Sequence, residues 1–218
     1  MSTTPAAVPV PDSLIAYRVI PVVVVAEEAH IEVIGEGLSQ GGLPVAEVTF
    51  RTAAAPKAIR ELSRRGDLLV GAGTVVSVDQ VNSAYEAGAQ FIVSPGTSAS
   101  VVRRCAELEL PVVAGAVTAT EVMTLLDLGS TVAKFFPAGT SGGAAAIKAL
   151  AAPFGQMRFV PTGGVSPSNL SDYLSLSCVP AVGGSWMLPA DLVAAGDVPA
   201  IAALCREAVE AAAAAAAA

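Results

Sequence analysis

Short runs of β-branched and apolar residues alternate along the chain with longer stretches in which apolar positions recur every three or four residues. The first pattern belongs to strands and the second to amphipathic helices. The strand-like runs fall at 19–25, 45–50, 68–75, 91–94, 111–117, 131–136, 158–161 and 179–183. Strict alternation of strand and helix implies a parallel sheet with both faces covered, and eight units favour closure into a (β/α)8 TIM barrel over an open sheet. We expect one α/β domain over residues 1–218. Residues 1–18 form an N-terminal extension with a short helix at 12–18 against the bottom of the barrel, and 211–218 an alanine-rich tail that extends the last helix or is only partly ordered.

Helix boundaries carry ordinary signals. Ser77-Val78-Asp79-Gln80 and Thr118-Ala119-Thr120-Glu121 read as capping-box starts, and Ser166-Pro167 as an N-cap with proline at the first helical position. Gly66, Gly88 and Gly129 follow periodic segments, as C-terminal stops do. Within strands, period two assigns faces. In the second strand Val45, Glu47, Thr49 and Arg51 share one side, with Ala46, Val48 and Phe50 on the other; in the sixth, Val132, Lys134 and Phe136 oppose Ala133 and Phe135. The uniformly apolar sets face the helices, so Glu47, Thr49, Arg51 and Lys134 point into the barrel.

Composition narrows what such an interior can be used for. With 53% hydrophobic and 14% charged residues the chain has ample material for a large core. A formal charge of −7 with no basic cluster beyond Arg64-Arg65 or Arg103-Arg104 argues against a nucleic-acid partner. The run 19–26 is far too short for a bilayer and the N-terminus lacks signal-peptide features, so no membrane partner is expected. Cys105, Cys178 and Cys205 are odd in number and lack paired spacing, and read as buried thiols in a reducing compartment. His30 is the sole histidine and reads as a residue on a helix surface, so no metal site is expected.

Lys134 is the exception in this picture. The chain has three lysines, and Lys57 and Lys148 sit on helical faces that solvent should cover. Lys134 lies mid-run in Thr131-Val132-Ala133-Lys134-Phe135-Phe136-Pro137. Burial penalises an ammonium and favours the neutral amine, which can attack a ketone. A Schiff-base enzyme is the leading reading; a lysine whose ammonium reaches water from a strand end is the alternative. Glu47 and Arg51, charged inside the barrel, must pair with each other or meet a ligand. Thr74 follows Gly71-Ala72-Gly73 at the end of the third strand, and Ser94-Pro95-Gly96 ends the fourth in a turn. Thr162-Gly163-Gly164 and Gly183-Gly184-Ser185 follow strands seven and eight, where barrels of this kind hold phosphate on backbone amides.

Six segments in order, Gly-Leu-Pro-Val-Ala-Glu-Val-Thr-Phe-Arg-Thr (42–52), Val-Gly-Ala-Gly-Thr-Val (70–75), Phe-Ile-Val-Ser-Pro-Gly (91–96), Lys-Phe-Phe-Pro-Ala (134–138), Pro-Thr-Gly-Gly (161–164) and Gly-Gly-Ser-Trp (183–186), closely resemble the 2-keto-3-deoxy-6-phosphogluconate (KDPG) and 4-hydroxy-2-oxoglutarate (KHG) aldolases. The resemblance spans nearly the whole chain. It implies a class I aldolase that cleaves KDPG into pyruvate and glyceraldehyde 3-phosphate in the Entner–Doudoroff pathway, without a metal or other cofactor. It further implies Lys134 as the Schiff-base lysine, Glu47 as general acid/base acting partly through water, and Arg51 with Thr74 as carboxylate binders. Pro95, Phe136 and Thr162 would shape the substrate pocket, and Gly163, Gly164, Gly184 and Ser185 would cradle the phosphate. A cytoplasmic homotrimer is the form the family usually takes. The sequence departs from the family at Ala119, where proline is common, and at Gly139-Thr140-Ser141. The first alters a helix start and the second bears on substrate preference. Two other functions fit the same barrel: a metal-free phosphosugar isomerase or epimerase, which has no use for Lys134, and a non-catalytic phosphosugar-binding protein.

Overall fold

The computed structural model describes residues 6–217. Its strands are β1 (Val19–Val23), β2 (Val45–Thr49), β3 (Leu69–Gly73), β4 (Ile92–Val93), β5 (Val112–Gly115), β6 (Val132–Phe135), β7 (Arg158–Pro161) and β8 (Val182–Gly184). They pair in parallel in the order β7-β6-β5-β4-β3-β2-β1-β8. A bridge between Thr162 and Gly183 draws β7 to β8, so the sheet is a nearly closed barrel. The helices are α1 (Asp12–Ile15), α2 (Ile31–Gln40), α3 (Ala55–Arg65), α4 (Val78–Glu86), α5 (Ala99–Glu107), α6 (Ala119–Asp127), α7 (Gly143–Ala151), α8 (Leu170–Leu174), α9 (Ala190–Ala195) and α10 (Val198–Ala217). Helices α2 to α10 pack outside and cover the outer face of the sheet. No helix among the described residues is long and apolar enough to cross a membrane.

The two faces assigned from period two separate into two apolar clusters. Ala46, Val48, Ala133 and Phe135 join the cluster between barrel and helices. Ile20, Val45, Phe91, Val93, Val113, Val132, Val160 and Ala181 fill the barrel's lower interior, and Leu14 of α1, fully buried, closes it from below. The N-terminal helix thus plugs the floor, but it ends at Ile15 and does not run to residue 18. Only above this floor does the interior become polar.

The caps follow the sequence closely. Ser77 Oγ accepts the Gln80 amide at 3.2 Å, and Thr118 with Glu121 forms a complete capping box. Gly66, Gly88 and Gly129 end their segments with φ of +76°, +93° and +80°, left-handed values that glycine adopts without steric cost. Several boundaries differ. β4 has two residues and β8 starts at Val182, because Pro180 has no amide to donate to a ladder and Pro95 turns the chain away. α8 begins at Leu170 and not at Ser166-Pro167; residues 167–169 form a turn before it. His30 lies in a 3-10 turn (Glu28–His30), half-buried against an apolar cavity beside Val22, Ile34 and Leu188, and not on an open helix surface. Cys105 and Cys205 are buried, and burial pushes both thiols up to about 12; Cys178 is half-buried. The alanine-rich segment continues α10, with Ala212 fully buried. Residues 1–5 and 218 of the two expected end segments lie outside the described residues.

Candidate active site

The polar interior is built by two strands that face each other across the barrel. β2 and β6 stand four places apart in the order of eight. Glu47 is locked in β2 by pairing with Val22 on one side and Gly71 on the other. Lys134 is locked in β6 between Gly115 and Val160. Each side chain leaves its strand inward, and they meet: Lys134 Nζ donates to Glu47 Oε1 at 3.0 Å. Lys134 is 5% exposed and Glu47 2%. The Phe136 ring stands over the amine, with its centroid 5.4 Å from Nζ. No buried side-chain nitrogen or oxygen among the described residues lacks a partner.

Small residues make room for this pair. A Cβ on Gly73 would overlap the Glu47 carboxylate, and one on Gly115, the pairing neighbour of Lys134, would overlap the Pro95 carbonyl. Next to Gly73, Thr74 has φ of +59°, a left-handed value that is strained for a β-branched residue and costs about 1–3 kcal/mol. Thr74 and Pro95 are both half-buried at the mouth. Thr97 Oγ1 donates to the Gly115 carbonyl at 2.7 Å, tying the loop after β4 to β5.

Not every residue of the inward set reaches the centre. Thr49 points inward, but its hydroxyl donates to the Val23 carbonyl at 3.0 Å and so needs no charged neighbour. Arg51 departs from its expected place: β2 ends at Thr49, the Phe50 amide bonds the Gly73 carbonyl, and the Arg51 side chain is exposed beyond the strand. The Glu47–Arg51 pair considered from sequence is not formed; Lys134 is the partner of Glu47. Arg51 makes no ion pair with any described residue.

The glycine loops lie at the same mouth. Thr162 is buried and its bridge to Gly183 joins the loop after β7 to β8. Gly163 and Gly164 have φ of +88° and +80°, Gly184 is buried at the end of β8, and Ser185 is exposed just beyond. The ladder between β6 and β7 continues past both strands through Ala138 N–H to Thr162 O (2.8 Å) and Gly139 N–H to Gly163 O (2.9 Å). Among the described residues the backbone amides of Gly164, Val165, Ser185 and Trp186 donate to nothing. Amides free in this way can hold an anion without basic side chains. Among the described residues no three His, Cys, Asp or Glu side chains stand together as a metal site.

Sequence reasoning takes Gly73 as room for a ligand, where the structure puts the Glu47 carboxylate, and misses Gly115. The two glycines show only as small residues in a strand until their neighbours across the sheet are known.

Comparison with known proteins places nearly the whole chain beside one family. The family model for KDPG and KHG aldolase matches residues 10–204. The KHG/KDPG aldolase of Escherichia coli K12 is 45% identical over 193 residues, 88% of this chain and 91% of that protein. A 2-keto-3-deoxy-6-phosphogluconate aldolase of Zymomonas mobilis ZM4, solved with 3-phosphoglycerate, superposes with a TM-score of 0.86 at 41% identity, covering 90% of this chain and 93% of that one. A KDPG aldolase of Legionella pneumophila, solved with pyruvate captured at low pH as a covalent carbinolamine intermediate, superposes with a TM-score of 0.87 at 37% identity, covering 90% and 97%.

Proposed function

The chain belongs to the KDPG and KHG aldolase family, and from that premise we propose that its cleavage of 2-keto-3-deoxy-6-phosphogluconate to pyruvate and glyceraldehyde 3-phosphate runs through a Schiff base on Lys134. One observation carries the assignment: a lysine amine and a carboxylate 3.0 Å apart, both buried at the centre of the barrel mouth. The covalent carbinolamine in the Legionella relative supports it.

The hydrogen bond between Lys134 Nζ and Glu47 Oε1 gives a proton a direct path between the two groups. Moving the shared proton from Nζ to Oε1 leaves an amine beside an acid, with no change in the net charge of the interior. The neutral amine adds to the C2 ketone of the substrate to give a carbinolamine; loss of water, drawn by the proton Glu47 now holds, gives the iminium. Glu47, again a carboxylate, then takes the C4 hydroxyl proton, directly or through a water. The C3–C4 bond breaks, its electron pair moves to the iminium nitrogen, and the aldehyde leaves. Glu47 returns that proton to C3 of the enamine. Water then hydrolyses the pyruvyl iminium and frees the lysine. Each proton transfer to or from a well-placed group contributes about 10²- to 10⁴-fold.

Around this pair Arg51 at the mouth holds the keto-acid carboxylate, as a guanidinium fork suits, with the Thr74 hydroxyl beside it. Pro95, Phe136 and Thr162 wall the pyruvyl end. Gly163, Gly164, Gly184 and Ser185 receive the phosphate, a role that their free backbone amides support. No metal takes part. The assembly proposed is a cytoplasmic homotrimer, checked by light scattering at three times the 21.7 kDa chain mass. The function is tested by pyruvate release from KDPG in a coupled assay with excess chelator. Undiminished release supports the reading, and loss of release on chelation contradicts it.

A further inference from the structure

Asn169 occupies the N-cap of α8, where a side chain ordinarily accepts an amide of the first helical turn. It makes no such bond. Its Oδ1 instead accepts the Ser166 amide at 2.9 Å, and its Nδ2 donates to the Gly164 carbonyl at 2.8 Å. The side chain therefore bridges the loop that leaves β7, using the donor and the acceptor of one amide group.

The bridge has a directional consequence. In a planar trans peptide the carbonyl and the following N–H point opposite ways. The Gly163 carbonyl is held by the Gly139 amide and the Gly164 carbonyl by Asn169. Two peptides are thus fixed through their oxygens, which turns the N–H groups of Gly164 and Val165 away from Gly139 and Asn169. Neither donates to any described residue. The left-handed φ values of both glycines permit this run.

We propose that Asn169 is a positioning residue for the phosphate end of the substrate: by holding the Gly164 carbonyl it aims the Val165 amide, beside that of Gly164, at the anion. The inference rests on reading this loop as the phosphate site. It requires an amide side chain specifically. An aspartate keeps the acceptor for Ser166, loses the donor, sets a carboxylate oxygen against the Gly164 carbonyl and brings negative charge beside the anion.

The test uses the full chain and its Asn169→Ala and Asn169→Asp variants. It reads KM and kcat for KDPG, competitive inhibition by inorganic phosphate, and deuterium exchange at C3 of pyruvate, which needs Lys134 but no phosphate. We expect KM and the phosphate inhibition constant to rise about tenfold in the alanine variant, as for a lost hydrogen bond to an orienting group, and further in the aspartate variant. The turnover number and pyruvate exchange should stay within about twofold. A parallel fall in exchange and turnover would make Asn169 a prop of the fold and overturn the proposal. If phosphate competes equally with wild type and variants, Asn169 is excluded while the phosphate site stands. If it fails to compete with wild type, both the site and the inference fall.

Discussion

Two lysine–glutamate pairs in this chain share a chemistry and differ in setting. Lys57 of α3 bonds Glu28 on the surface, with side chains 45% and 55% exposed. Lys134 bonds Glu47 inside the barrel, with side chains 7% and 3% exposed. On the surface, water and salt screen the attraction and two long side chains lose freedom to form it, so such pairs add little to stability. Inside, both partners stand on strands that already fix them, and the attraction is weakly screened. The inner pair is also dispensable for folding in principle, since apolar residues of similar volume often replace a buried pair without loss. An interior that holds an ion pair where valine and leucine would serve points to chemistry and not to stability.

The sharpest way to break the comparison is Lys134→Ala. It should abolish KDPG cleavage in the coupled assay, and retained turnover would return Lys134 to a structural role. Glu47→Gln comes next. It keeps the shape and a polar contact but cannot cycle a proton, so turnover should fall by about 10²- to 10⁴-fold while pyruvate still forms an adduct at Lys134. Unchanged turnover would remove Glu47 from the mechanism. Gly73→Ala probes the same carboxylate from outside. Its methyl group would displace the Glu47 side chain from Lys134, the neighbour it can move most easily. Turnover should drop at least tenfold and the melting temperature should fall, because parting a buried pair leaves each charge uncompensated; a fully active variant of wild-type stability would show that Gly73 does not set the carboxylate's position.

Lys57→Ala is the smallest change and the control. The hydrogen bond with Glu28 raises the Lys57 pKa above 10.5. A raised pKa means that the pair's contribution is complete below the unfolded value and is lost as pH climbs through the folded one. Lys57→Ala should therefore leave turnover unchanged at neutral pH and shift thermal stability only slightly, a shift that shrinks with salt, is complete below about pH 10.5 and fades as pH rises above it. A turnover defect in this variant would mean that exposure does not separate the two pairs.

Much of this is legible in the residues alone. The alternation of short apolar runs with helical periodicity carries the barrel, and period two carries the inward aim of Glu47 and Lys134, because a parallel barrel leaves each strand only two faces. What the residues do once inside depends on the strand across the axis, which no local pattern records. Arg51 shows the limit: period two continues it inward, but the ladder stops at Thr49 and releases the next residues to the mouth. Gly73 and Gly115 act by the space they leave, and the occupants of that space are distant in sequence. Asn169 bonds a carbonyl five residues earlier, a contact set by the course of the loop and not by its composition.

The central claim is that the Lys134 amine bonds covalently to the keto acid. Incubating the protein with pyruvate, reducing with borohydride and mapping the modified peptide by mass spectrometry tests it directly. The account predicts one reduced pyruvyl adduct, on the peptide that contains Lys134, and none on Lys57 or Lys148. An adduct on either of those lysines, or no adduct at all, would contradict it.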